Sequence, residues 1–326
     1  MNNSITNTEW FCSELKNVTA RMKLIMAGAN AFGQLREITD ESVSNTGKLV
    51  RPTLLLLCAG SGYGEIVREE LLDTAAAIEI THTASLIHDD VIDDALLRRG
   101  KPTVQSRYGK CTAVYAGDFL LSGTMRYMME KGYAASGAAI AHCVERMCAG
   151  EMVQLQNRGN TDVTEEKYME AIAGKTAALF ETACRLGSSI AGGDSRRGGL
   201  LGSFGMHLGI MFQLRDDILD WSSSEEASGK PVNEDFAEGI YTVPAIHAFA
   251  SEKYGRELRE IAGLETQNKE SLERARKLVR VSGGLEYGRE LMLRHREEAL
   301  TCLAQLPKNE CMEALGAMTG ALSISV

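Results

Sequence analysis

The chain has 326 residues, with 44 acidic against 35 basic side chains and a formal net charge of −9. Its 44% hydrophobic and 24% charged composition excludes a disordered chain, and the acidic balance argues against nucleic acid as the main partner. No uninterrupted apolar stretch reaches ~18 residues, which excludes a membrane span. Met1 to Lys16 is polar, so no signal peptide is expected. The eight cysteines form no C-x-x-C pair, and small buried hydrophobes in a reducing cytoplasm are the expected use.

Only five prolines occur, and none lies between Pro102 and Pro231. That interval is rich in Ala, Leu, Glu, Met and Arg, which predicts long helices and an all-α fold. Thr8 to Phe32 carries Trp10, Leu15, Val18, Met22 and Ile25 at helical spacing, and Thr39 to Gly47 reads as a polar connector. Lys48 and Arg51 stand beside Gly47 and Pro52 at the mouth of the next helix, a place that suits an anion. The segment Glu69 to Ala95 lacks Gly and Pro and is predicted helical throughout. Arg98, Arg99 and Lys101 follow at its end, close to four aspartates, and Arg suits bidentate contact with phosphate. Helices are then expected over Cys111 to Gly132, Ala134 to Gln156, Glu165 to Ile190 and Leu200 to Trp221. Gly174 inside the third of these marks a kink or close approach that turns Lys175 and Thr176 toward a ligand. Ser222 to Glu238 reads as a polar loop, and the remainder as amphipathic helix. No linker divides the chain, so a single domain over residues 1–326 is expected.

The chemistry concentrates in one pattern that occurs twice. On the first helix Asp89 and Asp93 stack one turn apart, with Ser85 and His82 on the same side, and Asp90 and Asp94 form a second stacked pair. Asp216, Asp217 and Asp220 repeat Asp-Asp-x-x-Asp after Gln213. Two carboxylates ~4 Å apart repel by about 4 kcal/mol at an effective dielectric near 20, so a cation is expected there. Oxygen donors without cysteine or a second imidazole favour Mg²⁺. A solvated acidic helix end explains one copy readily but a second copy poorly.

Together these motifs resemble the trans-isoprenyl diphosphate synthases, the polyprenyl synthetase family, over roughly Gly47 to Ala248. The matching elements are Asp89-Asp90-Val91-Ile92-Asp93, Arg98-Arg99-Gly100, Ala116-Gly117-Asp118, Lys175-Thr176, Gln213 with Asp216-Asp217-Ile218-Leu219-Asp220, and Gly229-Lys230. The resemblance implies an all-α, isoprenoid-synthase-type helical bundle around a deep central cavity, usually dimeric. It implies Mg²⁺-dependent condensation of isopentenyl diphosphate onto an allylic diphosphate. Asp89, Asp93, Asp216 and Asp220 would hold metal, with Asp90, Asp217 and Lys175 in the catalytic set. Arg98, Lys175, Thr176, Gln213 and Lys230 would assist the allylic diphosphate, and Lys48, Arg51, His82 and Arg99 would hold isopentenyl diphosphate. Thr46 and Leu49 stand where the family usually has Gly and Arg, and Ile240 where it usually has Lys; each of the last two removes a positive charge. Lys101 or Arg107 is expected to replace part of the charge missing at Leu49.

Below Asp89 the same helix carries Ser85, Ala84, Thr81 and Ala77, all small. Such a lane leaves room for a growing apolar tail and predicts a medium- or long-chain product; close helix packing uses the same residues. A short-chain farnesyl or geranylgeranyl synthase, or a subunit of a heteromeric synthase, is the alternative. A di-iron bundle fails because only Glu79-Ile80-Thr81-His82 offers the Glu-x-x-His spacing. A metal phosphohydrolase built on His88-Asp89 leaves the second Asp motif unexplained, and a terpene cyclase leaves Lys48, Arg51 and Arg99 without a second diphosphate.

Overall fold

The computed structural model describes residues 5–29, 31, 33–44, 47–60, 64–222 and 233–324. Helices dominate, as the composition predicts, and α-carbon contacts gather them into two compact units. The first comprises Met1–Val144, Thr182–Gly202 and Leu306–Leu315; the second comprises Glu145–Glu181, Ser203–Gln305 and Gly316–Val326.

In the first unit α1 (Glu9–Ala27) is capped by Thr8, whose hydroxyl accepts from Phe11 N at 3.2 Å. Val18, Met22 and Ile25 are buried as the spacing predicts, whereas Trp10 stays 37% exposed and Phe11 takes the core position. The expected connector from Thr39 is instead the second half of α2 (Gly33–Ser44). Ile38, Thr39 and Val43 are its buried face, and Thr39 escapes the cost of burial by donating to Arg36 O and Leu35 O at 3.0 Å. A side chain that satisfies itself on the preceding turn reads as polar in sequence but packs as core. α3 (Val50–Ala59) buries Leu54 to Cys58 completely, so its core-facing run is continuous.

The central element is α4 (Glu65–Ile92), which packs on α1, α3 and α6 (Lys110–Glu130). It ends sooner than its composition predicts. Asp93 is the C-cap, its N–H bonded to Asp89 O at 2.9 Å, and Asp94 turns left-handed at φ 51°. Asp94 therefore does not stack on Asp90. It lies exposed in an ion pair with Lys110 at 2.9 Å, an arrangement that Asp tolerates better than most residues. Arg98 and Arg99 likewise do not prolong a helix. β1 (Leu97–Arg98) and β2 (Lys101–Pro102) pair in a two-residue hairpin, with Arg99 and Gly100 both at positive φ. That twist matches the strands, and Gly100 supplies the freedom the turn needs. A one-turn helix, α5 (Val104–Tyr108), occupies the expected turn before α6. The Ala116-Gly117-Asp118 element also gains a physical reason. The His88 ring sits where a Cβ on Gly117 would be, 2.3 Å from Nε2, and lies 3.3 Å from Asp118 and 3.2 Å from Val114 O.

The second unit contains most of α7 (Ala134–Gln156), then α8 (Glu165–Ile172), a π-helical turn at Ala173–Ala177 and the start of α9 (Ala178–Ile190). The π turn is the kink that Gly174 foretold. A Cβ on Gly174 would stand 2.7 Å from Arg146 O, and one on Gly150 2.3 Å from Lys175 N, so two glycines let the backbones touch. α10 (Ser195–Ser222) starts a turn before the expected Leu200 and carries the second Asp motif near its end. Beyond it lie α11 (Glu234–Ala237), α12 (Val243–Phe249), α13 (Gly255–Ala262), α14 (Lys269–Val281), α15 (Gly284–Ala304) and α16 (Glu310–Ile324). α12 packs on α8, α13, α14 and α15. Trp221, Phe236, Tyr241 and Phe249 form one aromatic cluster, and Trp221 donates to Thr242 Oγ1 at 3.3 Å. The end of α10 is thereby fixed.

Candidate active site

In the first unit a cavity of about 310 Å³ opens along one face of α4. Glu79, His82, Thr83, Leu86 and Asp90 line it from that helix, recurring every three or four residues. Arg98, Arg99 and Lys101 enter from the hairpin, Gly47 from before α3, and Arg107 from α5. Four basic side chains gather in one cavity of an acidic protein, alongside the carboxylates of Glu41, Glu79 and Asp90. Arg99 lies close over Gly47, where a Cβ would stand 2.6 Å from its Nη1. Lys48 follows it and is exposed. Burial pushes Arg51 down to about 10, with Glu79 opposing that fall most strongly. Burial also holds His82 well below its usual value, assisted by Arg51, Arg99 and Arg98, so the ring is neutral near pH 7. A neutral imidazole offers a hydrogen bond without adding charge.

Of the residues assigned to isopentenyl diphosphate, His82 and Arg99 line the cavity, whereas Lys48 and Arg51 do not; Arg51 acts electrostatically on His82 and Glu79. Glu79 itself was legible only as half of a failed di-iron motif. Its spacing to His82 was the available signal. Of the first Asp motif, Asp90 reaches this cavity. It is buried, and its Oδ1 accepts from Arg98 Nε at 2.7 Å. Burial raises its carboxyl while Arg98 pulls it back. Asp89 and Asp93 lie one turn apart at the helix end, half-exposed, with oxygen donors suited to a hard cation. Arg107 pairs with Glu41 at 2.6 Å, and both Arg107 and Lys101 line the cavity.

In the second unit Thr176 Oγ1 donates to Gln213 Oε1 at 2.9 Å, and Gln213 Nε2 donates to Asp217 Oδ1 at 2.9 Å. Tyr168 donates its hydroxyl to Asp217 Oδ2. Asp217 is therefore a buried, held carboxyl, pushed up to about 7 by burial despite those two donors. Asp235 nearby is pushed up to about 8, first by burial and then by Asp217 and Asp220. Asp216 is exposed beside Arg215 at 3.3 Å, and Asp220 accepts from Asn233 N at 2.9 Å. Lys175 pairs with Glu151 at 2.8 Å. The motif splits by exposure: Asp216 is exposed beside Arg215, while Asp217 is buried against Tyr168. Lys230, Gly229 and Thr46 lie outside the described residues. Of the small-residue lane, Ala77, Thr81 and Ala84 are fully buried and Ser85 is half-buried; none of the four lines the 310 Å³ cavity.

Among the described residues no three His, Cys, Asp or Glu side chains stand grouped ready to hold a metal, and no helix is long and apolar enough to cross a membrane. Residues 33–279 match the sequence profile of the polyprenyl synthetase family. Heptaprenyl diphosphate synthase component 2 of Geobacillus stearothermophilus is 33% identical over 288 residues, 88% of this chain and 89% of that one. The short chain isoprenyl diphosphate synthase of Methanothermobacter thermautotrophicus is 35% identical over 288 residues, covering 86% and 87% of the two chains. A polyprenyl synthase from Caulobacter crescentus, solved as a complex with calcium and isoprenyl diphosphate, superposes with a TM-score of 0.82 at 30% identity, covering 96% of this chain and 94% of that one.

Proposed function

The chain belongs to the polyprenyl synthetase family, and on that footing we propose that it is a prenyltransferase condensing isopentenyl diphosphate onto an allylic diphosphate to build an all-trans polyprenyl diphosphate. The observation that carries this reading is the cavity lined by His82, Arg98, Arg99 and Lys101 along α4, the helix that carries Asp89 and is capped by Asp93, with Arg51 acting electrostatically on His82. An acidic motif beside a basic pocket fits two diphosphates, one bound through a divalent cation and one by cations of the protein itself.

Asp89, Asp93, Asp216 and Asp220 are the residues that would hold Mg²⁺, and their all-oxygen donor set fits that ion. Bound there, Mg²⁺ supplies neutralisation of the leaving diphosphate as the allylic C–O bond ionises. Lys175, Thr176, Gln213, Arg98 and Lys230 add hydrogen bonds and charge to the same leaving group. Lys48, Arg51, Arg99 and neutral His82 hold isopentenyl diphosphate so that its double bond meets the allylic cation. The proton then lost from the adduct passes to the departing diphosphate, so no side-chain nucleophile is needed. Asp90 and Asp217 serve by position: the first holds Arg98, the second joins Tyr168 to Gln213 and Thr176.

The product is of medium or long chain length. The small, buried Ala77, Thr81 and Ala84 support this, because the positions one turn apart on that face of α4 carry no bulky side chain. Homodimeric assembly in the cytoplasm completes the reading. A second reading, a subunit that needs a partner, rests on the relative named component 2 and on the loss of charge at Leu49 and Ile240. Removing the outward carboxylate tests the central assignment. Asp216→Ala is expected to cut turnover by about two orders of magnitude or more with an unchanged melting temperature, since it acts on charge that develops only in the transition state. Near-normal activity in that variant would leave the second motif as a solvated helix end.

A further inference from the structure

A carboxylate inside an anion-binding cavity demands a reason. Glu79 lies on the cavity face of α4, one turn before His82, and is only 5% exposed. Its Oε2 is buried without a hydrogen-bond partner among the described residues. The two charges acting on it are the guanidiniums of Arg51 and then Arg99. Those same groups face His82, so one helical turn of α4 holds a carboxylate and an imidazole against two arginines. Arg99 arrives on the hairpin turn and rests on Gly47, and Arg51 stands in the first turn of α3. Neither arginine shares an element with the other. A buried negative group between them is what the cavity offers to hold both in place while it is empty of substrate.

We infer that Glu79 is a positioning residue for the second diphosphate, fixing Arg51 and Arg99 as a preformed pair. This rests on the reading of the cavity as the site of isopentenyl diphosphate. The inference sets two effects against each other. Glu79 repels an incoming diphosphate, yet without it Arg51 is a buried cation whose main counter-charge is gone, and it loses its charge or its orientation. Burial pulls Arg51 down to about 10 even with Glu79 in place, and Glu79 is the first of the groups that oppose that fall. Lys48 and Arg99 remain to offset the carboxylate's own charge.

Inorganic diphosphate, titrated calorimetrically without Mg²⁺, probes the cations of the protein alone. Glu79→Gln is nearly isosteric, and its melting curve reports whether it folds. It is expected to weaken diphosphate binding and to raise the KM for isopentenyl diphosphate about tenfold, the cost of one charge-assisted contact. The kcat and the KM for the allylic diphosphate stay within about twofold, a split that a general loss of structure does not give. Glu79→Asp keeps the charge and recovers most of the affinity, and should the Gln variant fail to fold, this one decides alone. In a cycle with Arg51→Gln, the double variant loses less than the sum of the two singles, because Glu79 acts in part through that residue. Unchanged or tighter diphosphate binding in Glu79→Gln overturns the inference. So do additive losses in the cycle, or an Asp variant as weak as Arg51→Gln. A parent protein that binds no diphosphate without Mg²⁺ would instead overturn the reading of the cavity.

Discussion

Leu49 shows how much one side chain can decide. It caps α3 at φ 50°, a left-handed conformation that costs a non-glycine residue about 1–2 kcal/mol. Arg at this position meets the same backbone cost as Leu, so Leu49→Arg isolates the effect of charge. The variant is expected to lower the KM for isopentenyl diphosphate severalfold with little change in melting temperature; an unchanged KM would mean that Lys101 already supplies what the cavity needs. A second site concerns acid stability. His207 and His295 share a hydrogen bond of 2.9 Å between their Nδ1 atoms, and burial, then His207, pushes His295 down to about 4. A folded-state pKa below the unfolded 6.5 means that the unfolded chain binds more protons between those values. Stability is thus fully present above pH 6.5 and is lost as pH falls toward 4. The melting temperature should drop over that window, and His295→Gln should flatten the drop; an equal slope in both proteins would place the acid sensitivity elsewhere.

At the scale of elements, the long helices were legible because their apolar spacing and lack of proline left few alternatives. Ala134–Gln156 appears with the expected limits, and Gly174 correctly marked a break. The failures have physical causes. α2 was hidden because Thr39 buries its hydroxyl on its own helix. The end of α4 was set late because Asp-Asp-Val-Ile-Asp-Asp is compatible with helix, and only the pairing of Leu97 with Pro102 and of Asp94 with Lys110 draws the chain out of it. The π turn depends on contact with α7, which no local pattern encodes. That contact gives a prediction. Gly174→Ala puts a methyl within 2.7 Å of Arg146 O, so overpacking should cost about 1–3 kcal/mol and displace Lys175 and Thr176. Thermal melting and steady-state kinetics should fall together, and wild-type values in both would show that the glycine is dispensable.

Across the whole molecule, the residues assigned to the two diphosphates stand out in the sequence, because that chemistry calls for Asp, Arg, Lys and Gln in recognisable spacings. The residues that arrange them were not. Glu79, Tyr168 and Asp235 act through partners distant in sequence, and nothing local distinguishes a buried supporting carboxylate from a surface one. Product length belongs to this scale too, since it depends on how α4 is surrounded. Ala84 is fully buried, so a phenyl ring there must take space from its neighbours. Ala84→Phe is expected to shorten the product while condensation continues. The most direct measurement incubates the purified protein alone with Mg²⁺, an allylic diphosphate and labelled isopentenyl diphosphate, and resolves the products by length. The account predicts all-trans polyprenyl diphosphates longer than geranylgeranyl diphosphate, abolished by chelation of the metal. Failure of the protein alone to condense the two substrates, or a product that stops at farnesyl diphosphate, would contradict it.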